Sequence, residues 1–132
     1  MKTSKYLTTI CLILGTMLPL IVDTGHTHLL NPDWDAHSRV HEVWRLSTNI
    51  LIAGIGLYLL WISNYLLLPA LLSSCIVLGF FSSIFTMSLY GGVPIGEGIE
   101  EPNPFGIPAN IFVFIIIGII QSVSFIFLFK NR

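Results

Sequence analysis

Charge is scarce in this chain: Asp, Glu, Lys and Arg make up 10% of its 132 residues, against about 25% in an ordinary soluble domain. Hydrophobic residues make up 54%, and the mean hydropathy is +0.83. A soluble protein of this length has too little interior to hide so much apolar side chain. The composition therefore implies a single integral membrane domain. Six basic residues against seven acids leave no cationic patch to neutralise phosphates, which argues against a nucleic-acid partner. Cysteine is nearly absent. Cys11 and Cys75 lie far apart in apolar runs with no Cys-x-x-Cys spacing, and read as small buried hydrophobes rather than a disulfide or redox pair. No Asp, Glu or Lys interrupts the apolar runs deeply, which argues against a pump or an ion channel. Histidine is missing everywhere except between residues 26 and 42.

What is abundant is long apolar sequence. Crossing hydrocarbon about 30 Å thick takes roughly 20 mostly apolar residues in a helix, and an isolated strand would leave its backbone groups unpaired in lipid. Four spans are predicted, over residues 7–22, 43–62, 65–90 and 108–129. Pro108 suits a first helical turn. The fold class expected is all-α: four transmembrane helices in an antiparallel bundle. Only Ser63 and Asn64 separate the second and third spans, which makes them antiparallel neighbours. The loop over 91–107, GGVPIGEGIEEPNPFGI, is too rich in Gly and Pro for regular helix. The first segment, MKTSKYLTTICLILGTMLPLIV, has the charged start and apolar centre of a signal peptide. Val22 and Asp23 make a poor small-x-small cleavage site, so a retained helix is expected.

Lys2 and Lys5 precede the first span, and Lys130 and Arg132 follow the fourth. With four spans both ends share a side, and the positive-inside rule makes that side cytoplasmic. Loops 23–42 and 91–107 then share the non-cytoplasmic face. All seven acids and all four histidines fall on that face. Arg39 and Arg45 break the charge rule, beside acids able to neutralise them.

The stretch HTHLLNPDWDAHSRVHE, residues 26–42, carries the chemistry. Asn31, Pro32, Asp33 and Asp35 read as a helix start. The second helix then begins outside the membrane and runs straight in, or residues 32–45 lie flat on the surface with Ala36, Val40, Val43 and Trp44 as an apolar stripe. Trp34 and Trp44 suit the headgroup boundary. His37 and His41 are four apart and project from one side of a helix, with Arg45 one turn deeper. Such a pair is able to chelate one transition-metal ion, and His26 and His28 face one way in an extended segment. The predicted metal ligands are His28, His37 and His41, with His26 weaker, for zinc, iron, copper or manganese. His37, His41 and Arg45 are the candidate catalytic residues. Glu42 follows the second histidine, which is not the His-Glu-x-x-His order of metalloproteases. The plainer reading gives His37 and His41 a capping or hydrogen-bonding role, and is favoured for Glu42, Asp33 and Asp35, as helix-start charges paired with Arg39 or Arg45. In the second loop, Ile99, Phe105 and Ile107 are expected to dip toward the bundle and bring Glu97, Glu100 or Glu101 near the histidines, although solvated charges are the plainer reading there. Serines, threonines, Asn49 and Gln121 within the spans are expected to bond between helices, and Arg45 with Asn49 to extend a polar cleft inward.

The residues Thr27, His28, Asn31, Pro32, Trp34, His37 and His41 together form Thr-His-x-x-Asn-Pro-x-Trp-x-x-His-x-x-x-His. This resembles the signature of an uncharacterised family of small four-helix integral membrane proteins. The resemblance implies the architecture and singles out His28, His37 and His41. It implies no reaction, and it leaves His26 outside the pattern. A looser likeness to four- and five-helix sterol-isomerase-like proteins rests on no shared motif and is analogy alone.

The sequence thus leads to a His-lined site on the non-cytoplasmic face, binding a divalent metal or acting as acid and base on a lipid-soluble small molecule. The alternative is an accessory or structural subunit whose His-rich face docks a membrane partner, with homo-oligomerisation open to so small a bundle. Transport of metal or substrate ranks third.

Overall fold

The structure, a computed structural model, describes residues 2–96, 100 and 102–130. Four α-helices form an antiparallel bundle: α1 (Lys2–Asp23), α2 (Ala36–Trp61), α3 (Leu67–Tyr90) and α4 (Ala109–Lys130). Among the described residues there is no strand. A single 3₁₀ turn, Pro104–Gly106, precedes α4. All four helices are long and apolar enough to cross a membrane, and the chain is an integral membrane protein. Large side chains cover the outside, such as Phe85 and Leu89, 79% and 84% exposed, as a lipid-facing surface requires.

The helix α1 packs against each of the other three. Small and polar side chains explain this central place. In lipid, apolar burial no longer drives helices together, so close backbone approach and interhelical hydrogen bonds do. Ser124 Oγ of α4 donates to Ser4 O (3.0 Å) and lies 2.8 Å from Thr8 Oγ1 and 3.1 Å from Ser4 Oγ, all buried. One turn further along, Cys11 is buried with its thiol directed at Ile117 O (3.6 Å). Cys75 is exposed on the outside of α3, contrary to the expectation that both cysteines are buried, because it falls on the lipid-facing side of its helix.

At the end bearing the chain termini, α1 is tied to the α2–α3 turn. Lys5 Nζ donates to Asn64 Oδ1 (3.1 Å) and lies 4.3 Å above the Trp61 ring, while Trp61 Nε1–H donates to Thr9 Oγ1 (3.0 Å). Asn64 adopts the left-handed conformation (φ 55°), which asparagine tolerates better than most residues. The tight turn expected at Ser63-Asn64 is therefore a genuine reversal.

Between α1 and α2 the closest fit is Gly56 against Leu12. A Cβ on Gly56 would lie 2.9 Å from Leu12 Cδ1 and 3.1 Å from Cδ2, and Leu12 is fully buried. Overpacking of this kind costs about 1–3 kcal/mol. Gly56→Val is expected to lower the thermal unfolding temperature in detergent, and a second change, Leu12→Ala, to recover most of the loss. A Gly56→Val protein that unfolds at the wild-type temperature would show the contact to be soft. Gly54, in the same small-residue run, faces open space and has no such role.

The expectation that polar residues in the spans bond between helices is met by Ser124 and by Gln121, whose Nε2 donates to Ala70 O (3.3 Å). It fails for Ser74, Ser83, Thr86 and Ser122, whose hydroxyls turn back to carbonyls of their own helices. A free carbonyl lone pair three or four residues back is nearer than any partner on a neighbouring helix.

Candidate functional site

The segment 24–35 is a series of turns that ends in a defined helix cap. The cap is Asp35. Its Oδ2 accepts from the backbone N–H of His37 (2.8 Å) and of Ser38 (3.1 Å), satisfying two of the four free donors of a helix start. Asn31, read from sequence as the cap, instead closes a turn of its own by accepting from Asp33 N (2.9 Å). Pro32 and Asp33 therefore precede the helix. The reason is visible in Arg39, whose guanidinium crosses back to Asn31 O (2.8 Å) and also approaches Pro32 O and Trp34 O (both 3.4 Å). Those carbonyls point at the Arg39 side chain, and Asn31 O also accepts from Trp34 N–H (3.3 Å) in a turn. Arg39 thus staples the turn and pairs with neither Asp33 nor Asp35.

From Ala36, α2 runs without interruption through the membrane segment to Trp61. Of the two arrangements open at the sequence level, the straight helix is the observed one. His37 and His41 sit on its first two turns, both exposed. Their Nε2 atoms are 3.0 Å apart and their rings stand at 90° with centroids 4.5 Å apart. Trp44 lies beside His41, at 6.0 Å between ring centroids.

One turn deeper, Arg45 is held by two carboxylates. Asp23, the last residue of α1, meets Nη2 at 2.5 Å. Glu42, one turn back on α2, binds both Nε (3.1 Å) and Nη2. The Asp23 and Glu42 side chains are 19% and 11% exposed, the Arg45 side chain 43%. The triad fastens the end of α1 to the first turns of α2. The plain reading of Glu42 as a partner of Arg45 holds, and Arg45 is committed to protein carboxylates. His28 belongs to the neighbourhood of Asp23: its Nδ1 lies 2.9 Å from Thr27 Oγ1 and 3.8 Å from Asp23 Oδ1, and its ring meets Trp34 edge-on at 5.6 Å. His26 is exposed and makes no hydrogen bond or ion pair among the described residues.

The structure therefore brings together His37 with His41, and Asp23 with Glu42 and Arg45, and sets His28 against Asp23. Among the described residues, no three His, Cys, Asp or Glu side chains converge on a point that would hold a metal ion. An open groove of about 480 Å³ runs along this face, lined by Asp33, Trp34, Asp35, Ser38, His41, Glu42 and Arg45. Ser38 was not anticipated. Its place one position after His37 was the available signal, since on a helix it adjoins His41 and Glu42 at i+3 and i+4. Three carboxylates to one guanidinium line the groove, so it favours a cation.

The second loop contributes less than expected. Phe105 is 90% exposed with φ 57° and does not dip into the bundle, because the tight turn at Pro104–Gly106 directs it outward against Phe112 (5.9 Å). Glu100 is exposed; Glu97, Ile99 and Glu101 lie outside the described residues. The loop is anchored by Asn110 Nδ2, which donates to Pro94 O (2.9 Å).

Comparison of the chain with protein families, with curated proteins and with solved structures finds no match.

Proposed function

We propose that the chain is a membrane-embedded metal-binding protein. In this reading His37 and His41 hold a divalent transition ion, such as zinc, iron, copper or manganese, at the mouth of the groove, which receives a lipid-soluble small molecule. One observation carries the reading: the 3.0 Å between the two Nε2 atoms. Two imidazole nitrogens, each about 2.0–2.1 Å from one tetrahedral zinc ion, lie about 3.3 Å apart, a few tenths of an ångström more than is observed here. The pair stands at imidazole–imidazole hydrogen-bonding distance, close to the separation of a chelate, beside a groove rich in carboxylates. Two protein ligands leave coordination positions free for water or for an oxygen of the ligand. When bound, such an ion polarises oxygen groups and acidifies water.

The chain's own residues do the rest. Asp35 caps α2 and so fixes the turn on which His37 sits. Arg45, neutralised by Asp23 and Glu42, closes the inner end of the groove as a fixed polar wall. Trp34 supplies an apolar flank for a hydrophobic molecule. The surplus of lysine and arginine at the chain ends supports cytoplasmic termini and a non-cytoplasmic groove.

The test is elemental analysis of detergent-purified protein, wild type beside His37→Ala/His41→Ala, with folding checked by circular dichroism. Near-stoichiometric metal that disappears in the double variant is the expected result. Folded wild-type protein that takes up none from zinc- or copper-supplemented buffer would sink the metal reading and leave metal-free acid–base chemistry by the same pair. A second reading, an accessory subunit or homo-oligomer docked through this face, is favoured by the exposed side chains of Val40, Val43 and Trp44 (62%, 48% and 66%) beside the histidines. It requires stable co-purification of a membrane partner, or of further copies, without metal.

A further inference from the structure

The outer face of α2 carries a repeat that the four-helix bundle does not use. Steps of four and three residues lead from His37 to His41, Trp44, Thr48, Leu51 and Ile55, and one more reaches Tyr58. All of these side chains are exposed. The buried residues of α2, Leu46, Ala53, Gly56 and Leu60, lie on the opposite side of the helix, where it packs against α1 and α3. Alternating steps of four and three form the a/d seam by which two helices supercoil, the knobs of each entering holes of the other. Contact with lipid requires apolar side chains but no such repeat.

Thr48 is a second observation. The exposed hydroxyls of Ser83, Thr86 and Ser122 on the other helices bond back to carbonyls of their own helix. The Thr48 hydroxyl makes no hydrogen bond among the described residues. Amid hydrocarbon, a facing helix is what supplies such a partner. The area is also sufficient. Trp44, Leu51, Ile55 and Tyr58 are 55–66% exposed, and half-exposed side chains of this size offer on the order of 100 Å² each. Seven of them amount to roughly 700 Å² per copy, close to the ~800 Å² of a standard interface.

The third observation is the ligand count. Protein sites for zinc use four ligands when structural and three when catalytic. One chain brings two imidazoles together, and among the described residues no third His, Cys, Asp or Glu joins them. The missing ligands must come from outside the chain, and His37 and His41 are themselves the first two positions of the seam.

We propose that a second copy of this chain completes the metal site, through a parallel α2–α2 dimer in which His37 and His41 of both copies surround one ion. This rests on the metal-binding reading above. Copies inserted with the same orientation run α2 parallel, and across a two-fold axis each seam position faces its own counterpart. Four imidazoles then gather within about one helical turn, and Thr48 meets a second Thr48. Ser38, Glu42 and Arg45 lie to one side of the seam, so the groove beside His41 stays open. Four nitrogens fill the shell of a tetrahedral ion, whereas a six-coordinate ion keeps two positions for water or for an oxygen of the groove's occupant.

The experiment is native mass spectrometry of the full-length protein in detergent, loaded with zinc and washed, so that chains and ions are counted together. A dimer holding one zinc per two chains is expected. Leu51→Ala/Ile55→Ala keeps every histidine and lies about 15 Å or more from His41 along the helix. It should become monomeric and lose at least roughly tenfold in zinc affinity, the lower bound for loss of a supporting group, with the helix content of wild type. Leu78→Ala/Ile119→Ala, on the outside of α3 and α4, should change neither. In phosphatidylcholine vesicles, oxidation of Tyr58→Cys/Cys75→Ala should join two copies by a disulfide. A monomer holding one zinc per chain, a seam variant with wild-type zinc affinity, or no disulfide at position 58 overturns the shared site and leaves the His37–His41 pair as a metal ligand within one chain. A dimer or monomer that takes up no zinc or copper removes the metal reading, and this inference with it.

Discussion

On the proposed metal-binding reading, moving one imidazole off its helical register is expected to abolish metal retention as fully as deleting it. In His41→Ala with Val43→His the chain still has four histidines. The relocated ring, however, lies six residues from His37, about 9 Å along the helix axis and on another face. Val43 is 48% exposed, so the new side chain is accommodated. Affinity for zinc or cobalt, measured in detergent by competition with a chromophoric chelator, should drop in both His41→Ala and the relocated variant. The drop should be at least the roughly 10–100-fold that loss of even an outer-shell partner costs a metal site. The reason is geometric: the i, i+4 spacing puts the two Nε2 atoms at the 3.0 Å observed, and an i, i+6 spacing does not bring side chains together. Since imidazole must be neutral to bind metal, retention by the wild type should also weaken on acidification. A relocated variant that binds as tightly as wild type would place the metal elsewhere.

Arg45→Met is expected to be the most destabilising change on this face. It leaves the Asp23 and Glu42 carboxylates, 19% and 11% exposed, side by side with no cation between them. Removing one partner of a fully buried ion pair costs about 3–5 kcal/mol. Here the Arg45 side chain is 43% exposed, water relieves part of the penalty, and about 2 kcal/mol is the expected loss, read from unfolding in mixed micelles by circular dichroism. Neutralising the carboxylates as well, in Arg45→Met/Asp23→Asn/Glu42→Gln, should restore most of it, because the cost lies in the orphaned charges more than in the lost attraction. If Arg45→Met alone matches wild type, the carboxylates are already solvated and the fastening of α1 to α2 lies elsewhere, with Gly56 against Leu12 the next contact to test.

Much of the architecture was legible because the bilayer imposes it. Hydrocarbon thickness sets span length, and the four predicted spans differ from the helices mainly at their ends. The helix α1 starts at Lys2 and not Leu7, and α2 at Ala36 and not Val43, because hydropathy marks where the chain enters lipid while hydrogen bonds mark where a helix starts. The cap illustrates the same limit. Asn31, Asp33 and Asp35 are all competent caps by residue type, and the choice of Asp35 depends on Arg39 reaching back to hold the carbonyls of 31, 32 and 34. That is a contact between side chain and turn which no local pattern encodes.

By itself, then, the sequence determined an all-helical membrane protein, the even number of spans that puts both ends together, and the pairing of His37 with His41. Each follows from a period or a length, quantities carried by consecutive residues. The tertiary structure decided which polar groups meet across distance. It paired Arg45 with Asp23 from another helix, set His28 beside Asp23 and apart from His37 and His41, and turned Phe105 outward. It also left Gln121 Oε1 buried without a donor. These outcomes depend on how helices rotate about their axes when they pack, and that rotation is set by small residues such as Gly56 and by the hydroxyls of Ser4, Thr8 and Ser124, through contacts between residues more than a hundred positions apart in some cases.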